Sequence, residues 1–184
     1  RRALEPLAGL AAEGKVFACY GNHDHEDRRT VVEALGQLGI RLLVDEAVHV
    51  ETPSGEVEIV GADFRFRRRR EHLEALFEAL GPEGDVPRIL LLHDPGAFAL
   101  LPSGAAALTL SGHTHGGQLG LVSLGLPWTI VSLASKVPDH GYWGRGRARL
   151  YVHRGTGHYG FPIRLGVPGE ESVLRVWGLW RSRS

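Results

Sequence analysis

Apolar positions along the chain fall into blocks of two kinds. In EDRRTVVEALGQLGI (26–40) they recur at Val31, Val32, Leu35 and Leu38 among charged neighbours, the period of an amphipathic helix. RRREHLEALFEALG (68–81) repeats the pattern, with Leu73, Leu76, Phe77 and Leu80 on one face and Gly81-Pro82 as a stop. RRALEPLAGLAAEG (1–14) has helical spacing and a glycine stop, and Pro6 disturbs its first turn. The other blocks are contiguous. KVFACY (15–20), RILLL (88–92) and AALTL (106–110) are short apolar runs with turn residues behind them, which predicts buried strands. Residues 41–64 read as strands around a Pro53-Ser54-Gly55 turn, the second being EVEIVGA. Beyond residue 116 helical periodicity vanishes and glycine and proline become frequent. There TIVSLA (129–134), RLYVHRG (149–155) and SVLRVWGL (172–179) read as further strands. Alternating strands and helices, then a strand-rich end, predict an α/β fold with both faces of a sheet covered.

Composition narrows the picture. The 184 residues suit a single domain, 1–184, with a real core. Lys plus Arg equals Asp plus Glu at 21 each, so no bulk field draws the chain toward nucleic acid or an anionic surface. The single cysteine, Cys19, excludes an internal disulfide. No apolar stretch approaches the roughly 20 residues of a membrane span. The chain begins RRALEPLAGL and has no methionine, so residues upstream are expected to be missing, along with any export signal or anchor they carried. Trp128, Trp143, Trp177 and Trp180 read as packing residues; Trp128, Tyr142 and Trp143 fall where they could form a lip.

The chemistry lies just behind each buried run. KVFACY leads into GNHDHE, RILLL into HDPG, and AALTLSG into HTHGGQ. Three strands thus deliver an imidazole or carboxamide at their carboxyl ends, the rim where open α/β sheets bind ligands. Imidazole nitrogen and amide oxygen suit Mn²⁺, Zn²⁺, Fe²⁺ or Co²⁺ better than Ca²⁺. In an extended segment His113 and His115 share a face with Thr114 turned away, and two such ligands reach two ions about 3.5–4 Å apart. Gly112, Gly116 and Gly117 then permit tight turns beside a crowded cluster.

GNHD (21–24), LLHDP (91–95) and SGHTHGGQ (111–118), in that order, resemble the third, fourth and fifth blocks of the calcineurin-like metallophosphoesterases. With LYVHRGTG and PIRLGVP behind them, they resemble a bacterial branch whose members are often membrane-associated phosphodiesterases. The likeness runs from residue 15 to about 177. It implies an α-β-β-α sandwich of mixed sheets, here incomplete at the N-terminus. It implies that Asn22, His93 and His113 hold one divalent ion and His115 the other. It also implies that His23 faces the scissile phosphate, with Asp24 orienting it and raising its pKa. Arg154 or Arg164 would bind a phosphate oxygen. The reaction implied is hydrolysis of a phosphodiester or pyrophosphate-linked substrate, possibly lipid-linked in this branch, by a hydroxide bridging two metal ions.

The family's first two blocks, Asp-x-His and Gly-Asp-x-x-Asp, are absent. One ion therefore keeps three ligands and the other a single histidine, so at most one ion is expected to be well held and the piece itself weak or inactive. VPGEES (167–172) also stands where the branch has proline-proline-glutamate. The partner expected is a phosphoester substrate, with no nucleic acid. Membrane association would run through the missing N-terminal residues, and the compartment stays open between bacterial cytoplasm and membrane. Two other readings stand beside this one: a scaffold that binds protein after its metal site decayed, and a nuclease using RFRRRR (65–70). Against the nuclease, Glu71, Glu74 and Glu78 are spaced to pair with Arg67, Arg70 and their neighbours on one helix face. Asp27 is the helix cap and Asp94 starts a turn. His25, His49, His72 and His140 read as surface residues, while His153 and His158 fall in the segment that carries Arg154.

Overall fold

The runs RILL and LTLS pair in parallel, Ile89 opposite Leu108 and Leu91 opposite Leu110, and form the centre of the larger of two sheets. The computed structural model describes residues 2–177. Strands β1 (Phe17–Ala18) and β2 (Arg41–Leu42) make a short parallel pair. The other sheet contains β3 (Glu46–Thr52), β4 (Gly55–Gly61), β5 (Arg88–Leu91), β6 (Leu108–Ser111), β7 (Gly141–Arg145) and β8 (Ala148–Val152). Their order is β3-β4-β5-β6-β8-β7. The four central strands run parallel, and β3 and β7 close the edges antiparallel. This is the α/β class that the sequence predicts, with the larger sheet mixed, as the resemblance implies, and the smaller one parallel.

Each sheet has its own cover. Helix α3 (Arg69–Leu80) lays Leu73, Leu76 and Phe77 on Val60, Leu90, Leu150 and Val152, which are fully enclosed. Helices α1 (Ala8–Ala12) and α2 (Arg28–Gln37) put Ala11 and Leu35 against Ile40, Ala18 and Leu42. Asp27 caps α2, its carboxylate accepting the Thr30 N–H at 3.2 Å. Between the sheets the chain closes tightly at Leu43, which is fully buried on Gly61. At the far end of β5, Arg88 is 2% exposed and its Nε donates to Glu58 Oε2 at 2.6 Å. Its Nη1 donates to the carbonyls of Gly81 and Ala105, so the buried charge is both paired and hydrogen-bonded.

Several boundaries differ from expectation. TIVSLA is not a strand: Ile130–Ala134 form helix α4, because Thr129 and Ser132 make a reciprocal capping box that a six-residue apolar run does not advertise. Residues 172–177 are in no strand, and 178–179 and Trp180 lie outside the described residues. Only Phe17–Ala18 of KVFACY pair as a strand. Residues 2–7 form a 3₁₀ turn containing Pro6 before α1 begins. The edge strand β7 carries no apolar run and lies outside the predicted strands.

Candidate functional site

The three loops meet at the carboxyl ends of β1, β5 and β6. Asn22 precedes a 3₁₀ turn (His23–Glu26), His93 follows β5, and His113 follows β6. The Asn22 Oδ1 lies 3.0 Å from His93 Nε2 and 3.0 Å from His113 Nδ1, and those two nitrogens are 3.2 Å apart. A cleft of about 390 Å³ opens over them, lined also by Gly21, His23, Asp24, His115 and Tyr159. Donors about 3 Å from one another are what one face of a divalent ion needs when its bonds are about 2.1 Å long.

The protonation states agree. Burial, and next the charge of His113, pushes His93 down from 6.5 to about 4, so its ring is neutral at physiological pH. Burial also lowers His115, whose Nδ1 is enclosed without a hydrogen-bond partner. The set is incomplete, however: among the described residues no group of three or more His, Cys, Asp or Glu could hold an ion. Two imidazoles and an amide oxygen form a face, not a cage. Cys19 offers no alternative nucleophile, because burial pushes its thiol up to about 12.

The His113–Gln118 loop differs from the predicted extended strand. His113 (φ 68°) and His115 (φ 52°) are left-handed, with Thr114 right-handed between them. Thr114 does turn away, donating to the Asp139 carbonyl at 2.7 Å, but both imidazoles reach the cleft through a tight turn. Left-handed backbone at His113, His115 and Gln118 costs about 1–3 kcal/mol each, strain typical of functional loops. Of the three glycines expected to matter, Gly116 and Gly117 do: both have positive φ, and a Cβ would strike Arg154 and Thr129. Gly112 has room around it.

Other side chains take different work from that expected. Asp24 does not orient His23; its Oδ2 accepts the Gly21 N–H at 2.7 Å and shapes its own loop. Glu26 holds His23 instead, Oε1 to Nδ1 at 2.7 Å, and the exposed His23 ring lies 5.5 Å from Tyr159. Arg164 does not reach the cleft. Its guanidinium donates to the carbonyls of Gly157, His115 and Arg154, pinning the strained loop to the 154–164 segment. Arg154 Nε is committed to Glu170 at 2.8 Å, and His153 Nδ1 accepts the Gly155 N–H. RFRRRR is paired in part, and mostly off its own helix: Arg65 meets Asp45 and Asp63, Arg69 meets Asp94, and Arg70 faces a helix partner, Glu74. Among the described residues Arg67 does not make the expected pair and Arg68 makes none. Asp94 also caps its turn, as expected. His49 is half-exposed beside Glu56. His25, His72 and His140 are not surface residues; each is largely enclosed and paired, with Asp63, Asp45 and Asp139 respectively.

The sequence reading missed Phe64. Its ring packs 5.9 Å from that of His93 and 6.1 Å from that of His113, walling the triangle on one side. Beside it the buried Asp63 gathers His25 and Arg28, each at 3.0 Å. The signal was present: EVEIVGA is a fourth apolar strand that ends in polar and aromatic residues at the same rim.

His93 makes stability depend on pH. Its folded value lies below its unfolded one, so as pH falls below about 6.5 the unfolded chain takes up a proton that the folded chain refuses until about 4. Stability at this position is intact at neutral pH and lost on acidification. In chelator-treated protein, urea unfolding is expected to show wild type losing about 2 kcal/mol more than His93→Gln between about pH 7 and pH 5. Parallel losses in the two proteins would contradict this.

The chain is 32% identical over 177 residues to the phosphodiesterase YaeI of Escherichia coli (strain K12), covering 94% of this chain and 61% of that protein. It is 40% identical over 173 residues to the uncharacterized metallophosphoesterase YkuE of Bacillus subtilis (strain 168), covering 92% and 59%. A transmembrane protein with metallophosphoesterase domain from Danio rerio is 31% identical over 184 residues, with 92% and 40% covered. The chain therefore spans about three-fifths or less of the length of these relatives. No family model and no solved structure matches it.

Proposed function

Since the chain belongs to the calcineurin-like metallophosphoesterases, we propose that it is the metal-holding part of a phosphoester hydrolase. The observation that carries this reading is the convergence of Asn22 Oδ1, His93 Nε2 and His113 Nδ1 within 3.2 Å of one another. These three atoms would hold one divalent cation, and His115, on the same cleft with its Nδ1 unpartnered, would serve a second. Their nitrogen and oxygen chemistry favours Mn²⁺, Zn²⁺, Fe²⁺ or Co²⁺. Bound there, such ions supply Lewis acidity to a phosphoryl oxygen and make water a nucleophile near neutral pH. His23 contributes proton transfer. Glu26 accepts its Nδ1 proton, so the protonated ring would give its Nε2 proton to the departing oxygen and be left as the neutral Nδ1–H imidazole. Arg164 acts by position, holding the carbonyl of His115 and with it the strained turn that presents both imidazoles.

The open cleft suits a phosphodiester or a pyrophosphate-linked substrate. Nucleic acid is a poor fit, because the chain has no excess of positive charge and Arg65 and Arg69 of the basic run are held by Asp45, Asp63 and Asp94. In the full-length protein, Mn²⁺-dependent hydrolysis of bis-p-nitrophenyl phosphate is expected, with none in chelator and at least about a hundredfold less in His113→Ala. Equal turnover in that variant would remove the proposed chemistry.

A further inference from the structure

Tyr159 lines the cleft although it is 65% exposed, and the backbone beneath it is held in place. The Gln118 carboxamide grips its peptide groups from both sides: Oε1 accepts the Tyr159 N–H, and Nε2 donates to the Tyr159 carbonyl at 3.1 Å. The same Nε2 reaches the carbonyl of Ile163 at 3.3 Å. Gln118 ends the turn that presents His113 and His115, and its own backbone is left-handed, with φ 57°. Its carbonyl accepts the Leu165 N–H at 2.9 Å. One strained turn thus fixes the two imidazoles and the Tyr159 backbone together. A tyrosine anchored in this way offers a large, stiff face with only two side-chain torsions to freeze, so contact with it costs little entropy.

The ring has a telling neighbour. Its centroid lies 5.5 Å from that of His23, with the two planes 34° apart, within the range of aromatic contact. His23 is the proposed donor of a proton to the departing oxygen, its Nδ1 held by Glu26. The group carried on that oxygen therefore lies beside Tyr159. A flat ring there stacks on the face of the phenol, whereas a methyl group covers little of it. A cationic group, the other ligand of such a face, would meet the charge of the proposed metal ions.

Resting on the hydrolase reading above, we propose that Tyr159 is a specificity-determining residue, selecting phosphodiesters whose departing alcohol carries an aromatic ring over those that release a small alkyl alcohol. It acts through its ring face, against the substrate and apart from the metal.

The test uses the full-length protein loaded with Mn²⁺. Tyr159→Ala is expected to lower kcat/KM for methyl p-nitrophenyl phosphate, whose only ring departs, about tenfold and chiefly through KM. Tyr159→Phe keeps the ring and is expected to recover most of that loss. Calorimetry supplies a readout apart from turnover: Tyr159→Ala should bind methyl phenyl phosphate about tenfold more weakly, while dimethyl phosphate and Mn²⁺ bind as they do to wild type. An unchanged preference between these two diesters in Tyr159→Ala would overturn the proposal and leave the hydrolase reading standing. A fall in Mn²⁺ affinity, or an equal loss for both diesters, would also overturn it, by assigning Tyr159 to the frame of the site. Wild type that binds Mn²⁺ and hydrolyses no diester would remove the hydrolase reading, and this assignment with it.

Discussion

Replacing His93 by alanine is expected to weaken divalent-cation binding at least about a hundredfold, read as the Mn²⁺ dissociation constant by calorimetry or by the paramagnetic signal of free ion. Loss of an outer partner of a metal ligand already costs about 10–100-fold, and in the proposed site His93 is an inner donor. It is also the donor with most of the site built around it. Its Nε2 faces both Asn22 and His113, and the Phe64 ring packs against its edge. Gly21 lies so close that a Cβ there would stand 2.8 Å from His93 Cε1. Alanine removes the nitrogen and leaves a gap into which Asn22 and His113 can relax. His49→Ala is the matched control, since that imidazole pairs with Glu56 on β3's partner strand, away from the cleft. Equal affinities in His93→Ala and wild type would exclude this residue as a ligand.

Gly61→Ala is expected to destabilise the protein by about 3 kcal/mol, lowering the melting temperature by about 6–12 °C, and to weaken the metal site as well. Gly61 ends β4 where Leu43, one residue past β2, crosses it. An added Cβ would lie 2.6 Å from the Leu43 carbonyl oxygen and closer still to the Leu43 side chain. Both neighbours are anchored: Leu43 N donates to Ala18 O, and Asp45 N donates to Gly61 O, each at 2.8 Å. The methyl can be accommodated only by moving the small sheet away from the large one. Asn22 rides on the loop after β1 and His93 on the loop after β5, so that movement opens the triangle. Gly36→Ala in α2 meets nothing within 4 Å and is expected to stabilise by about 0.5–1 kcal/mol through helix propensity alone. Thermal melts of the two variants, with Mn²⁺ titration, separate a packing effect from a general cost of losing glycine. A Gly61→Ala protein that melts with wild type would contradict the tight crossing at Leu43.

The donor triangle was legible because its physical signal is simple: a short apolar run ending in an imidazole or amide at the rim of a parallel sheet. Asn22, His93 and His113 share that signal and meet. What stayed illegible depends on backbone geometry and on competition among nearby partners. Alternation in an extended strand predicts the right face for His113 and His115 by the wrong route, since both adopt left-handed backbone. Asp24 and Glu26 are both within reach of His23 in sequence; the 3₁₀ turn gives it Glu26, while Asp24 folds back on Gly21. Arg154 and Arg164 read as anion binders until Glu170 and three backbone carbonyls claim them. TIVSLA has the apolar content of a strand, and only the Thr129–Ser132 capping pair decides for helix. Phe64 comes after a strand whose end carried the same signal as the others, in residue types that are not metal ligands.

The most direct test is a crystal of the protein grown with Mn²⁺ or Co²⁺, with diffraction recorded at the metal's absorption edge. An anomalous peak bonded to Asn22 Oδ1, His93 Nε2 and His113 Nδ1 together is expected. A cation seated elsewhere, or none at saturating concentration while those three atoms keep their separations, would contradict the account.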